Sequence, residues 1–533
     1  MARPLSHLLS IVIFSAFLSS LSPAQQNPAK PGTAAATGYA SIKLGNGIWH
    51  VEDSARDSMY LVEGSEKAAL IDTGMGSGDL AGYVRTLTKL PVVVLITHGH
   101  GDHTGQAGQF STIYFPQKES GARVRFDVSK TMPLTEGQRI DLGGKDLEVI
   151  EIPGHTAGSV AFLDAKDRSI FTGDAIGSSY VWNHIGGTRP LIEYLGAVRK
   201  LEGRKSEFDS IYGGHYWQSQ YKPLPADYVS DMRKATEGVF SGDLIARPYP
   251  SGGQGWAATY GRATVIYNAT NLYEPGKPNR SEYTLSEAAP DVIRIRDYSG
   301  SNCAYMIRGK NKVAVIDTAM GEGNLNALVE KHSGGLPIEL IITHGHADHA
   351  FSAGQFGKVS MNRKDAGILP KNVDPSSFKD IRPGDLFDFG GITLRAFDLP
   401  GHTPGSMVFI SPEKRLLISG DAVGTQSNQG GLWLQLPGCL YVDEYHAVLR
   451  DFIAKTTGQV DWILTGHNAV PVGPKYLDYL VLAAQKVIDQ GDAALVPSIR
   501  PTGIKMVVYG EANDPFAASI NVNPEHLLSS QKK

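Results

Sequence analysis

The stretch ITHGHGDHTG occupies residues 96–105, and a close copy, ITHGHADHAF, occupies residues 342–351. Each copy places three histidines and one aspartate directly after an apolar, β-branched run. Imidazole and carboxylate groups clustered in this way are typical of a metal site with nitrogen and oxygen ligands. The repeated stretch therefore predicts two metal-binding loops in one chain.

Further matches show that the duplication extends well beyond these loops. The matched pairs are AALIDTGMG (68–76) with VAVIDTAMG (313–321), IPGHTAGS (152–159) with LPGHTPGS (399–406), FTGDAIG (171–177) with ISGDAVG (418–424), and YGGHY (212–216) with LTGHN (464–468). Each series continues into a helical segment and a short β-like run, TVIYN (264–268) or MVVYG (506–510), and we interpret these two runs as equivalent. A repeat of this length indicates duplicated domains and not a solenoid.

The predicted domains span residues 40–273 and 284–525, separated by the polar, turn-rich segment EPGKPNRSEY (274–283). Within a domain, strand-like and helical runs alternate, which predicts a layered α/β architecture. The runs in question are the buried strand at 91–98, the half-buried strand at 146–154, the hairpin at 158–174, and the helical segments at 189–204, 225–240, 443–455 and 474–490.

The composition narrows the class of protein. With 533 residues the chain is long enough for two domains, and 41% hydrophobic and 20% charged residues are ordinary for a globular protein. A net charge of −4 gives no electrostatic footprint for nucleic acid or an anionic membrane, so we expect a small-molecule substrate and no nucleic-acid partner. The two cysteines, Cys303 and Cys439, are compatible with a disulfide and with two buried free thiols.

The N-terminus has the layout of a secretory signal peptide. Arg3 precedes a short apolar run at 8–18, and the small residues Ser22 and Ala24 mark a cleavage site after residue 24. The apolar run is shorter than the roughly 20 residues of a membrane helix, although an uncleaved anchor is the alternative interpretation. We expect residues 1–24 to be removed and the mature protein to be periplasmic or secreted, without stable membrane insertion.

Most of the 16 histidines in the chain occupy matched positions in the two copies, together with matched aspartates. The candidate ligands are His98, His100, Asp102, His103, His155, Asp174 and His215 in the first copy, and His344, His346, Asp348, His349, His402, Asp421 and His467 in the second. Alternation after a strand directs the first two histidines of each loop to one side. The aspartate and the third histidine then reach a second point nearby, which suits zinc, iron or manganese.

The order His-x-His-x-Asp-His, Gly-His, Gly-Asp and Gly-His, present in both copies, resembles the metallo-β-lactamase-fold hydrolases. The resemblance covers roughly residues 40–243 and 290–492. It implies two tandem αββα sandwiches, each with a dinuclear metal site at one edge. The cofactor it implies is Zn²⁺, two per domain, with Fe or Mn as alternatives.

Carried onto this sequence, the resemblance assigns a role to each ligand. One metal is held by His98, His100 and His155, the other by Asp102, His103 and His215, with Asp174 bridging. The corresponding sets of the second copy are His344, His346 and His402, then Asp348, His349 and His467, bridged by Asp421.

The resemblance also implies the chemistry. A hydroxide shared by the two cations attacks a carbonyl or phosphoryl centre. Asp102 and Asp348 are the candidates to orient it and shuttle its proton. Asp72 and Asp317 are placed behind the metal loop, although a purely turn-forming aspartate explains their local sequence equally well.

Several activities stay open at this point. An aspartate at positions 174 and 421 resembles the thioesterase, lactonase and phosphodiesterase branches more than the β-lactam hydrolases. The leading hypothesis is therefore an exported hydrolase of small esters, lactones or thioesters. The alternatives are a β-lactam hydrolase or phosphodiesterase, and a metal-binding pseudoenzyme in which one copy is structural and the two domains imitate a family homodimer as an intramolecular pseudo-dimer.

The segments that follow the two aspartates differ. The first copy has SSYVWNH (178–184), in which Tyr180 and Trp182 are candidates for an aromatic wall, with Tyr180 as a possible donor to a substrate carbonyl. Packing of the loop is the alternative role for both rings. His184 and His446 have no partner in the other copy, and we expect them to be ordinary surface or core residues.

Overall fold

The computed structural model describes residues 38–119, 124–250, 255–436, 438–468, 470–498, 503–511 and 513–531. The expected signal peptide, residues 1–24, lies outside this range. Among the described residues, no helix has both the length and the apolar character needed to cross a membrane. Cys303 and Cys439 are both buried and both free, so the described chain does not contain the disulfide that the sequence allows.

The first half of the chain contains the strands β1 to β17 and the helices α1 to α4. The strands are β1 (Tyr39–Gly45), β2 (Ile48–Asp53), β3 (Ser58–Glu63), β4 (Ala68–Ile71), β5 (Val92–Leu95), β6 (Ile113–Pro116), β7 (Met132–Leu134), β8 (Arg139–Asp141), β9 (Asp146–Glu151), β10 (Val160–Asp164), β11 (Ser169–Gly173), β12 (Tyr180–Asn183), β13 (Ser210–Gly213), β14 (Leu224–Pro225), β15 (Ile245–Tyr249), β16 (Gly255–Tyr260) and β17 (Ala263–Tyr267). The helices are α1 (Leu80–Leu87), α2 (Gly101–Thr104), α3 (Leu191–Gly203) and α4 (Tyr228–Phe240).

The second half repeats this order of elements, except that an isolated bridge at Val472 takes the place of β14. Its strands are β18 (Thr284–Ala289), β19 (Val292–Arg296), β20 (Cys303–Arg308), β21 (Val313–Ile316), β22 (Ile338–Ile341), β23 (Val359–Met361), β24 (Lys379–Asp380), β25 (Leu386–Asp388), β26 (Thr393–Asp398), β27 (Met407–Ser411), β28 (Leu416–Gly420), β29 (Leu432–Leu434), β30 (Trp462–Thr465), β31 (Val496–Pro497), β32 (Lys505–Tyr509) and β33 (Ala518–Val522). Its helices are α5 (Leu325–Ser333), α6 (Ala347–Ala350), α7 (Val442–Thr456) and α8 (Lys475–Gln490).

Each half is a sandwich of two sheets between helices. In the first half, strands β1 to β7 form one sheet, and β14-β13-β11-β10-β9-β8 form the other. Apolar side chains of both sheets, among them Tyr60, Leu147 and Phe162, share one core, so the sheets pack face to face. Helix α1 covers the outer face of the first sheet, and α3 and α4 cover that of the second. This α-β-β-α order of layers confirms the fold class predicted from the sequence.

The closing strands correct one predicted equivalence. The TVIYN run lies in β17, which pairs in parallel with β12. In the second half the equivalent parallel pair is β29 with β33, whereas the MVVYG run lies in β32, on the other side of β33. The true counterpart of β17 is therefore β33, and the counterpart of β32 is β16. Both runs are short and β-branched, and only pairing with a distant strand determines their place in the sheet.

The two halves are joined through a continuous sheet. Strand β15 of the first half pairs in parallel with β18 of the second, with Ile245 opposite Leu285 and Ala246 opposite Ser286. The indole of Trp256, only 3% exposed, packs there against a guanidinium of the second half, with Arg296 5.1 Å from the ring centroid. Because the sheet runs through the junction, the domain limits at 273 and 284 stay a prediction.

Candidate metal centres

Strand ends bring the predicted ligands together. Strands β4, β5 and β6 are parallel, so the residues after β4 and β5, Asp72 and His98, meet at one edge of the first sheet. Strands β11 and β13 of the second sheet are also parallel, and Asp174 and His215 follow their carboxyl ends. The open edge of the sandwich therefore collects side chains that are far apart in sequence.

Three imidazoles form the first group of the first half. The distance from Nε2 of His98 to Nδ1 of His100 is 3.1 Å, and that from Nε2 of His155 to the same Nδ1 atom is 3.0 Å. All three rings are buried or half-buried. Three ring nitrogens that converge in this way match the trigonal base of a metal site.

The remaining ring nitrogens of this group fix the protonation of the histidines. Nδ1 of His155 donates to the carbonyl oxygen of Trp182 at 2.7 Å. The hydroxyl of Thr97 donates to Asp72 at 2.8 Å, so Nδ1 of His98, 3.1 Å from that hydroxyl, must act as the donor to it. Because both Nδ1 atoms carry the proton, the Nε2 atoms of His98 and His155 present lone pairs to the centre of the group.

The second group combines two carboxylates and two imidazoles. Nε2 of His215 lies 3.5 Å from Oδ2 of Asp102 and 3.4 Å from Oδ2 of Asp174. Nε2 of His103 lies 3.7 Å and 3.6 Å from oxygens of the same two carboxylates. Oδ2 of Asp174 is also 3.7 Å from Nε2 of His155 in the first group. Asp174 thus lies between the two groups.

The second half repeats both groups. Nδ1 of His346 lies 3.0 Å from Nε2 of His402, while Nδ1 of His402 donates to the carbonyl oxygen of Trp433 at 2.9 Å. Asp421 lies 3.4 Å from Nε2 of His349 and 3.8 Å from Nε2 of His402, again between the groups. The complete second-half groups are His344, His346 and His402, and Asp348, His349, Asp421 and His467.

The charges of the first-half site are those of a cation site. Burial lowers the pKa of His98 well below its usual value, which keeps this imidazole neutral and able to act as a ligand. Burial also opposes protonation of His215, but Asp174 and Asp102 outweigh it and raise the pKa of His215 to about 10. The carboxylates of the second group therefore attract positive charge strongly, and a cation satisfies them as a proton does.

Several buried polar atoms in these ligand groups have no hydrogen-bond partner among the described residues. Nε2 of His103 and Oδ1 of Asp174 are buried and accept no hydrogen bond from any described residue. The equivalent Nε2 of His349 and Oδ1 of Asp421 are in the same situation. Buried polar atoms are normally paired, and these unpaired acceptors face one another. The donor set, its charge and its unpaired atoms therefore fit divalent cations in both halves.

Glycines allow the close approach of these loops. A Cβ atom at Gly214 would overlap Oδ1 of Asp174 and lie 2.6 Å from Cε1 of His103. Gly173, with φ of +49°, adopts a left-handed conformation directly before Asp174. The Gly-His pair is thus explained by the lack of space for a side chain, and the Gly-Asp pair by its left-handed backbone conformation.

The structure brings all fourteen predicted ligands into these four groups. The carboxylates of Asp72 and Asp317 lie behind the metal loops, where they contact His103 and His349. The metal-ligand roles themselves stay a prediction. The sequence did not reveal the supporting contacts of Thr97, Trp182 and Trp433, because two of them use backbone carbonyls. Of the unmatched histidines, His446 is buried in α7, while His184 packs against Trp182 beside the first-half site. The hydroxyl of Tyr180 accepts a hydrogen bond from Gln218 at 3.0 Å and its ring stacks on Trp182.

Comparison with known proteins agrees with this geometry. The family model of the metallo-beta-lactamase superfamily matches residues 57–215 and again residues 300–467. Acyl-coenzyme A thioesterase MBLAC2 of Homo sapiens is 28% identical over 221 residues, which cover 31% of this chain and 79% of the relative. Hydroxyacylglutathione hydrolase of Bdellovibrio bacteriovorus is 31% identical over 119 residues, covering 21% of this chain and 45% of the relative.

Among solved structures, the metallo-beta-lactamase from Pontibacter korlensis is similar, with 18% identity and a TM-score of 0.31, covering 37% of this chain and 99% of that one. The two matched segments of the family model contain both complete ligand sets. The chain therefore belongs to the metallo-beta-lactamase superfamily and is a metal-dependent hydrolase built from two tandem copies of that fold.

Proposed function

We propose that the protein is an exported hydrolase with two dinuclear centres, which cleaves small thioester, ester or lactone substrates. The observation that carries this proposal is the position of Asp174 and Asp421, each between a three-histidine group and a mixed group. A carboxylate in that position is suited to hold two cations at once. Thioesterase and hydroxyacylglutathione hydrolase relatives support the choice of substrate class.

The residues around each centre support a division of tasks. Two bound divalent cations would supply Lewis acidity, which polarises a carbonyl oxygen and makes water acidic enough to react near neutral pH. The side chain of Asp102 is 25% exposed and that of Asp174 is 18% exposed, so Asp102 is the more accessible carboxylate. We assign to Asp102, and to Asp348 in the second half, the task of orienting the attacking water and accepting its proton.

The supporting contacts keep the imidazoles ready as ligands. The carbonyl oxygens of Trp182 and Trp433 hold His155 and His402 in the Nδ1-protonated form. This arrangement orients the rings before any ion binds, which reduces the cost of binding. Both halves have such contacts, which counts against a pseudoenzyme in which one copy is purely structural.

Mixed imidazole and carboxylate ligands favour zinc, and we propose zinc as the native ion, with iron and manganese as the alternatives. Export rests on the sequence of residues 1–24 alone. Elemental analysis of protein purified without added metal identifies the ion, and N-terminal sequencing of the secreted or periplasmic protein tests cleavage after residue 24.

The decisive experiment measures hydrolysis by the mature, zinc-loaded protein of an acyl thioester, a lactone, an aryl ester, a phosphodiester and a β-lactam. We expect turnover of the thioester or lactone that disappears with a chelator and returns with zinc. Rapid turnover of the β-lactam, or of the phosphodiester alone, would replace the proposed substrate class.

The variants His98→Ala and His344→Ala locate the activity. Each change removes one ligand from one half, so the activity that remains belongs to the other half. Asp127→Asn, at an exposed carboxylate in the first half, serves as the control and should keep full activity. If the double variant His98→Ala/His344→Ala still turned over substrate at the original rate, the assignment of these centres would be wrong.

A further inference from the structure

The side chains that lie beside the two metal centres differ between the halves. Beside the first-half centre, four half-buried rings form a cluster, which we call the aromatic wall: Tyr180, Trp182, His184 and Tyr249. Tyr180 and Trp182 stack with ring centroids 6.4 Å apart, and Tyr249 lies 6.4 Å from each of these two rings. The wall adjoins the centre, because the carbonyl oxygen of Trp182 holds His155.

Strand pairing identifies the equivalent positions in the second half. Trp433 corresponds to Trp182, since both carbonyl oxygens accept from a ligand histidine. Two positions before and two positions after this tryptophan, the second half has Gly431 and Gln435, where the first half has Tyr180 and His184.

The fourth ring also has a counterpart. Pro248 of β15 lies opposite Trp256, and Pro497 of β31 lies opposite Lys505, at the equivalent positions of the two closing hairpins. The residue after Pro497 is Ser498, which therefore stands where the first half has Tyr249. Of the four rings of the aromatic wall, the second half keeps the tryptophan alone at these positions.

A longer loop supports the wall in the first half. The chain between β13 and β14 comprises residues 214–223, whereas the matching connection in the second half, up to the bridge at Val472, comprises residues 466–471. The longer loop contains Gln218, which donates to the hydroxyl of Tyr180 at 3.0 Å. It also contains Trp217, whose ring lies 4.4 Å from the guanidinium of Arg56. The extra residues thus hold the hydroxyl of one ring of the aromatic wall in place.

The two tryptophans differ in their hydrogen bonds as well. In the second half, the indole N–H of Trp433 donates to the carbonyl oxygen of Gly430 at 3.3 Å. In the first half, Nε1 of Trp182 is buried and has no hydrogen-bond partner among the described residues. A buried donor without an acceptor is costly unless a ligand or water supplies the oxygen.

We propose that the aromatic wall is the binding surface for an aromatic or extended apolar acyl group, so that the first-half centre selects substrates by this group and the second-half centre does not. The inference deepens the proposed function and rests on it. Aromatic rings bind planar and apolar groups through area burial and offset stacking. Gly431, Gln435 and Ser498 offer no such surface, so the two centres of one chain are expected to differ in specificity.

The test transfers the second-half residues into the first half. In a background in which His346→Ala inactivates the second centre, the variant Tyr180→Gly/Tyr249→Ser is compared with its parent on two thioesters of one thiol, acetyl and phenylacetyl. We expect KM for the phenylacetyl thioester to rise about tenfold, because two ring contacts are lost. KM for the acetyl thioester should change by a much smaller factor, so the preference for the phenylacetyl thioester, measured as the ratio of the two kcat/KM values, should fall about tenfold.

Two further variants separate a specific effect from damage to the fold. Tyr249→Phe keeps the ring and should retain the parental KM for the phenylacetyl thioester. Tyr260→Ser, at a 40% exposed tyrosine of β16, should change neither KM. Equal changes in KM for the two thioesters, or no change in either, would overturn the proposal.

A direct measurement of ligand binding tests this inference separately from the proposed function. If the parent hydrolyses neither thioester, the proposed function fails, and calorimetry then compares phenylacetate with acetate as ligands of the zinc-loaded parent. Tighter binding of phenylacetate that is lost in Tyr180→Gly/Tyr249→Ser supports the aromatic wall. Equal binding of the two acids, or binding that the double change leaves intact, contradicts it.

Discussion

His103 donates its Nδ1 proton to Oδ2 of Asp72 at 2.8 Å, and both side chains are almost completely buried behind the first metal loop. Asp72 also accepts from the backbone N–H and the hydroxyl of Thr97, each at 2.8 Å. The residue has φ of +61°, a left-handed conformation that is uncommon for a residue with a side chain. One strained aspartate thus orients residues of both metal groups, and Asp317, with φ of +63°, does the same in the second half.

We expect Asp72→Asn to weaken zinc binding in the first half by about ten- to a hundredfold, as loss of a carboxylate partner of a ligand histidine generally does. Asparagine tolerates the left-handed backbone, so the loop should keep its shape. The amide removes the negative charge that holds the proton on Nδ1 of His103. Competition with a chromophoric chelator measures the affinity.

The control for this change is Asp127→Asn, which alters an exposed carboxylate of the same half and should leave zinc affinity unchanged. Asp317→Asn should weaken zinc binding by the second half only. If Asp72→Asn bound zinc as tightly as the original protein, the aspartate would be a turn former only, which is the other role that the sequence allows.

Much of this arrangement is predictable because its signals are local. The ligand spacing in His98 to His103 and the apolar run before it lie within one short segment, and the duplication repeats that segment. The supporting contacts are not local: Trp182 reaches His155 through a backbone carbonyl, which has no residue preference. Tyr249 joins the aromatic wall only after β15 pairs with its neighbours, and a sequence pattern does not record that pairing.

The metal content of the chain should be about four ions, one for each group of converging ligands. His98→Ala removes a ligand from the first half and should lower the content to between two and three, while the second half stays filled. His344→Ala should do the reciprocal. Mass spectrometry of the intact protein under native conditions and elemental analysis count the ions. A wild-type protein that retained fewer than two tightly bound ions would contradict two working centres.

The stability of the first half should depend on pH through His50. This imidazole is buried among tyrosines, with Nε2 3.0 Å from the hydroxyl of Ser58, and burial lowers its pKa to about 4. The unfolded chain takes up a proton near pH 6.5, whereas the folded chain does so only near pH 4. Stability should therefore fall as the pH falls from about 6.5 to 4, by about 3 kcal/mol for this group.

The variant His50→Phe isolates this contribution, because phenylalanine fills a similar space among the tyrosines without titrating. Urea unfolding midpoints of both proteins, measured with zinc at several values between pH 4 and pH 7, give the difference due to His50. We expect the free energy of unfolding of the variant to rise relative to that of the original protein as the pH is lowered. Parallel curves would show that His50 is protonated in the folded state or solvated.

The stability of the junction between the halves should depend on Trp256, which is 3% exposed. The guanidinium carbons of Arg294 and Arg296 lie 5.6 Å and 5.1 Å from the centroid of its ring. We propose that the halves form an intramolecular pseudo-dimer, with this indole as its anchor. Trp256→Ala removes a large buried side chain and the indole ring against which Arg294 and Arg296 pack, which should cost about 3–5 kcal/mol. Trp462→Ala, at a 42% exposed tryptophan, is the matched control and should cost less than about 1 kcal/mol.

The position of Trp256 also links the junction to the second centre. The backbone N–H of Cys303, on the strand that follows Arg296, donates to the carbonyl oxygen of Gly466 at 2.8 Å, directly before His467. Loss of the indole should therefore weaken zinc binding by the second half more than by the first. Urea unfolding and chelator competition, each in His98→Ala and His344→Ala backgrounds, measure the two effects. Equal losses for Trp256→Ala and Trp462→Ala would show that the junction does not depend on this contact.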